Sequence, residues 1–134
     1  MSLALSSLAV GYTRDFINSL LGNYYGQDRG YLKFSYFFAG RALVTLEGGV
    51  AAIEYPNMYW ANPVTLRQPS FTDERVDATL FGEYRFTNAL GVNLTGRYTA
   101  NFSNTQVFVD PARTAFFDMS WNRFEAFLGV RYFL

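Results

Sequence analysis

Eleven basic and eleven acidic side chains carry the fixed charge of these 134 residues, and histidine and cysteine are both absent. Without cysteine there are no disulfides or thiolate sites, and without histidine the commonest general base and metal ligand is missing. A Ser–His hydrolase is therefore excluded. Asp77, Glu83 and Glu125 could be imagined as an acid–base pair, but nothing in their spacing sets a distance between them. Asp73-Glu74 stands as a lone acidic pair in a connection, too few oxygens for a carboxylate metal site. Gly48-Gly49 lacks the glycine pattern that cradles phosphate. The sequons at Asn93 and Asn101 fall within strands. The expectation is a protein that is not an enzyme, with no cofactor and no metal. A net charge of zero gives no electrostatic argument for nucleic acid.

The charged residues follow a rule of another kind. Lys33, Glu47, Asp77, Glu83, Arg85, Arg97, Arg123, Glu125 and Arg131 all occupy odd-numbered positions, as do Asp15, Arg41 and Asn93. Between them the even positions are apolar: Val76, Ala78, Leu80, then Leu90, Val92, Leu94, then Ala126, Leu128, Val130. A period of two is the mark of a strand with unlike faces; a helix would repeat every three or four residues. Six strands are expected, over about 3–16, 29–39, 41–55, 75–87, 90–104 and 122–134. The pattern blurs at Gly48-Gly49, where a β-bulge would let Ile53 and Tyr55 change faces.

The connections alternate between tight turns at Ala39–Arg41 and Thr87–Ala89 and long segments at 17–28, 56–74 and 105–121. All four prolines lie in the long connections, as ladder hydrogen bonding requires. If the tight turns set the registers, Lys33 faces Glu47, Thr79 faces Arg97, and Asp77 lies diagonally beside that second pair. Half the chain is hydrophobic and 16% is charged, against roughly 25% in soluble domains, and no run approaches the ~18 apolar residues of a membrane helix. Ten of the eleven basic residues are Arg, an odd choice for a soluble surface. Aromatics gather near the ends of the apolar face. Tyr36, Phe38, Tyr84, Phe86 and Tyr132 lie towards the tight turns; Tyr12, Tyr98, Phe102 and Phe124 lie towards the long connections. Two such rings are the girdles of a barrel in a bilayer. The expected fold is all-β: an antiparallel up-and-down transmembrane β-barrel segment, single over 1–134, with lipid outside and the charged residues lining a lumen.

At the C-terminus, Phe124, Ala126, Leu128, Val130, Tyr132 and Leu134 resemble the terminal-strand signal of Gram-negative outer-membrane barrels. In those proteins it is read by the barrel-insertion machinery and usually ends in Phe; here Leu134 stands last and Phe133 one place early. More weakly, Gly11-Tyr12-Thr13-Arg14-Asp15-Phe16 and Asp28-Arg29-Gly30-Tyr31 resemble the C-terminal part of β-barrel porins found beside exopolysaccharide gene clusters. The resemblance implies the bacterial outer membrane, its lipid and the insertion machinery as partners.

Six strands are fewer than the eight of the smallest single-chain outer-membrane barrels. The start Met1-Ser2-Leu3-Ala4 has no basic n-region, so no export signal is expected there. The expectation is the last six strands of a longer chain, with several copies sharing one barrel as the alternative. The leading function is a porin-like passive conduit for small solutes. Two alternatives stand: a structural or docking barrel of an envelope assembly such as polysaccharide export, and a soluble lipocalin-like ligand-binding barrel. Arg85, Arg97, Arg123 and Arg131 could form an anion-selecting ladder, though near-equal signs favour simple charge balance. Apolar residues in the long connections, among them Met58, Trp60, Phe108 and Phe117, suggest a plug, a partner surface or packing on the barrel's own rim.

Overall fold

A computed structural model describes residues 5–19, 22–56, 58–59, 67–68, 71–103, 106–108 and 116–132. Among these there is no helix. Ten strands follow in chain order: β1 Leu5–Ser19, β2 Gly22–Phe38, β3 Ala42–Tyr55, β4 Met58–Tyr59, β5 Arg67–Gln68, β6 Phe71–Arg85, β7 Leu90–Phe102, β8 Gln106–Phe108, β9 Phe116–Asp118 and β10 Trp121–Tyr132. The six long strands form one sheet in the order β1-β2-β3-β6-β7-β10, every neighbour antiparallel. It is an up-and-down meander whose outer strands, β1 and β10, each have one partner; the sheet is open. β4–β5 and β8–β9 are short ladders within the long connections.

Two tight turns set two of the registers. At the β2–β3 hairpin Ala39 and Gly40 both have positive φ (50° and 70°), and Arg41 N–H donates to Phe38 O at 3.1 Å. Positive φ at both central residues is the type I′ geometry, whose twist matches that of the flanking strands. At the β6–β7 turn the Thr87 hydroxyl accepts from the amides of Ala89 and Leu90 at 3.2 and 3.0 Å. Lys33 accordingly faces Glu47, and Thr79 faces Arg97, as the turn lengths predict.

Three expectations need correction. Segment 17–28 is not a long loop: β1 and β2 stay paired as far as Ser19–Gly22. Its Gly- and Asn-containing composition reads as a turn, yet the Phe16 and Tyr24 rings meet edge-on at 5.9 Å, and Gly26 sits under the Phe16 ring. No bulge interrupts β3, whose register with both neighbours is continuous through Gly48-Gly49. Ile53 and Tyr55 therefore stay on the face of Glu47, and Ile53 is fully buried there. Asp73 and Glu74 lie not in a loop but inside β6.

Candidate functional site, the charged face of the sheet

Apart from a shift at Asn18/Ser19, where β1 meets the turn into β2, the registers are continuous and give the sheet one parity: odd-numbered residues of all six long strands share a face and even-numbered residues share the other. All nine expected lumen residues, Lys33, Glu47, Asp77, Glu83, Arg85, Arg97, Arg123, Glu125 and Arg131, fall on the odd face. Arg41 belongs to the β2–β3 turn. The odd face is the more enclosed, holding buried Ala51, Ile53, Asp73, Glu83, Thr99 and Asn101.

The charges fall into three clusters. In the first, Arg29 grips Asp77 with two hydrogen bonds (Nε–Oδ1 2.9 Å, Nη2–Oδ2 2.5 Å) and also donates to Glu47 at 3.0 Å. Lys33 Nζ stands 3.9 Å from the other Glu47 oxygen. β2 and β6 are not neighbours; β3 runs between them, and at the crossing β3 presents Gly49. A Cβ on Gly49 would lie 2.7 Å from Arg29 Nη2, so the missing side chain is what opens the path. Tyr31 lies over Gly11 in the same way, with the Arg29 guanidinium 5.3 Å from its ring centre.

The second cluster surrounds Glu83, only 4% exposed, which accepts from Arg85 at 3.1 Å and from Arg131 at 2.7 Å. Arg131 reaches it from β10 past Gly91 of β7, its direct register partner. In the third, Glu125 lies between Arg97 (3.8 Å) and Arg123 (3.3 Å). Each of the four arginines of the expected ladder thus pairs with an acid, which is charge balance. The balance is uneven at Glu125, whose one carboxylate serves both Arg97 and Arg123, so that cluster carries one cation in excess.

Near the long connections the odd face carries a polar cluster. Asn101 Nδ2 donates to the buried Asp73 at 3.0 Å, and Trp121 is flanked by the guanidinium groups of Arg75 and Arg123 at 5.4 and 5.9 Å. Sequence reasoning placed Asn101 on this face but missed Arg29, Asp73 and Arg75 as members of it. The odd parity of Arg29 was legible from Tyr31 and Lys33. Asp73 and Arg75 were hidden at the uncertain start of β6.

The even face is the opposite surface. Of the large hydrophobic residues exposed among the described ones, all but Leu5, Ile17, Trp121 and Phe127 are even-numbered. The nine girdle candidates lie on it; Tyr36 is half-buried beside Phe38, and the other eight are exposed. Its charges are Arg14, Asp28, Glu54 and Glu74, all towards the long connections, where Tyr12 OH donates to Asp28 and Arg14 approaches Asp28 at 3.7 Å. Below them the even face carries no charge over 30–38, 42–52, 76–84, Leu90–Phe102 and 122–132. Gly82, Gly96, Ala78 and Ala126 leave a trough of about 490 Å³ there, walled by Leu46, Leu80, Leu94 and Phe124.

No family model, no curated protein and no solved structure matches the chain. Of the apolar connection residues named for a plug or partner surface, Trp60 lies outside the described residues, as do Phe133 and Leu134 at the terminal signal.

Proposed function

We propose that the chain forms wall of a transmembrane β-barrel in a Gram-negative outer membrane, its odd face turned to a water-filled lumen, and that it serves as a porin-like passive conduit for small solutes. The observation that carries this reading is the charge-free even face bounded on one side by Arg14, Asp28, Glu54 and Glu74. Along β10 that band covers residues 122–132, a span of about 34 Å at ~3.4 Å per residue. Inclined by the ~35–45° of such barrels it stands roughly 24–28 Å tall, close to the ~25 Å apolar band of outer-membrane proteins. A soluble barrel would turn this hydrocarbon surface to water, where so large a continuous patch is unfavourable. Lipid tails cover it at no such cost, and the trough suits a hydrocarbon chain. The three ionic clusters belong on the wet side, where their outer arms remain half-exposed.

Incorporation of purified protein into a planar bilayer tests the reading. Stepwise ionic current is expected. Membrane-inserted protein without current would point to a docking barrel instead. Protein that stays monodisperse in buffer without detergent would overturn the membrane assignment.

A further inference from the structure

Among the described residues four buried side-chain atoms have no hydrogen-bond partner, and all four lie in one patch of the odd face. They are Asp73 Oδ1 and Arg75 Nε on β6, Asn101 Oδ1 on β7 and Glu125 Oε2 on β10. Buried polar groups are nearly always partnered, so four together ask for a cause. Register builds the patch over β7. Arg75, Asn101 and Trp121 are direct partners across three strands, and Glu125 faces Arg97 further along β10. Arg75 therefore passes over Asn101 to reach the Trp121 ring, and Asn101 is left 3% exposed beneath it.

The strand arginines of the odd face divide along the same line. Arg29, Arg85 and Arg131 donate hydrogen bonds to carboxylates. Arg75, Arg97 and Arg123 donate none among the described residues. Arg97 and Arg123 stand 3.8 and 3.3 Å from Glu125 Oε2, which accepts from neither. Arg75 forms no ion pair there and meets only the Trp121 ring, at 5.4 Å. The patch thus holds three guanidinium groups against the two carboxylates of Asp73 and Glu125, and one positive charge is left over.

Each unmet group specifies part of a ligand. Free guanidinium donors and a spare positive charge call for a carboxylate. Asn101 Oδ1 and the ionised Asp73 and Glu125 oxygens only accept, so they call for hydroxyl donors. Trp121, between two guanidinium groups, offers an indole to the apolar face of a ring. We infer that this patch binds a ring bearing both a carboxylate and hydroxyl groups, in chemical class a sugar acid. The inference names a solute class for the conduit and rests on the reading above, in which the odd face is wet. Arg75, held in place by no hydrogen bond, turns towards the ligand carboxylate and uncovers the Asn101 oxygen for a hydroxyl. Enclosed water would also meet the sealed oxygens, but it neither offsets the spare cation nor stacks on the indole.

The chain has two tryptophans, so Trp60→Phe leaves Trp121 as the sole indole reporter. Full-length protein in detergent micelles is titrated at fixed ionic strength with glucuronate and, in parallel, with glucose, benzoate and acetate. Glucuronate is expected to change the Trp121 emission saturably, at a midpoint at least tenfold below those of the other three. Arg75→Gln should raise the glucuronate midpoint by about tenfold, the loss of one charge-assisted hydrogen bond. Arg123→Gln makes the same test at a side chain 60% exposed, where the fold is not at risk. A midpoint for acetate equal to that for glucuronate would make the patch a site for any anion and overturn the inference. Equality with glucose would overturn it through the charge, and equality with benzoate through the hydroxyl groups. Absence of any saturable response would overturn it too. The conduit reading is judged apart, by current in the planar bilayer. Current without a glucuronate response removes the site and keeps the conduit; a glucuronate response without current keeps the site and removes the conduit.

Discussion

Arg29 shows how a single absent side chain can organise a charged surface. Its guanidinium crosses β3 only because Gly49 offers no Cβ. Asp77→Ala removes two charge-assisted hydrogen bonds and should destabilise the protein by about 1.5–3 kcal/mol, measured by urea unfolding in micelles. Gly49→Ala should cost a similar amount by pushing Arg29 aside, yet far less in the Asp77→Ala background. Additive costs would show that Gly49 serves the backbone and not the ion pair. Glu125 governs a different property. Glu125→Gln leaves Arg97 and Arg123 as two cations without their acid and should shift the reversal potential toward anions; Arg97→Gln with Arg123→Gln should shift it the other way. An unchanged reversal potential in both variants would remove this face from the conduction path.

The turns and necks obey local stereochemistry that can be improved or broken without touching the charged face. Ala39 sits at φ 50°, where a non-glycine residue without a helping side chain is strained by about 1 kcal/mol. Ala39→Asn supplies the Asn-Gly pair preferred in type I′ turns and should raise stability by about 0.5–1 kcal/mol in the same unfolding measurement. At the neck of the β7–β10 connection, Ser103 and Ser120 exchange hydrogen bonds (3.1 and 3.3 Å), and the Ser120 amide donates to Asp118 Oδ1 at 2.8 Å. Those bonds from Ser120 hold the Asp118 carboxyl below the ordinary carboxylate range. A lowered folded-state pKa stabilises above the unfolded value, and the contribution disappears as pH falls through the folded one. Exchange protection of the Ser120 amide should accordingly hold at neutral pH and fade below the usual carboxylate range. In Asp118→Asn the same profile should be flat across that window.

For the molecule as a whole, the decisive contrast is between water and lipid on the even face. Leu80 is 54% exposed near the middle of the charge-free band. In water, Leu80→Arg would be a surface change worth within about ±0.5 kcal/mol. At the midplane of a bilayer the same change costs about 2–4 kcal/mol. Reversible unfolding from vesicles, compared with the parent chain, should give the larger figure, and Glu74→Arg near the rim should give much less. Equal small effects at both positions would mean that the even face does not meet lipid.

The period-two alternation settled the all-β class, the two faces and the registers of two hairpins, because strand pleat makes parity local and a tight turn leaves a hairpin almost no choice of pairing. Lys33 against Glu47 and Thr79 against Arg97 were readable for that reason. The reach of Arg29 to Asp77 and of Arg131 to Glu83 was not, since each pair belongs to strands two apart. Such contacts depend on registers across long connections and on which residue the intervening strand presents. Ile53 escaped because its burial on the polar face comes from neighbours and not from its own segment. Nor does local alternation say which strands pair across the long connections; that order emerges only once all six strands are laid side by side.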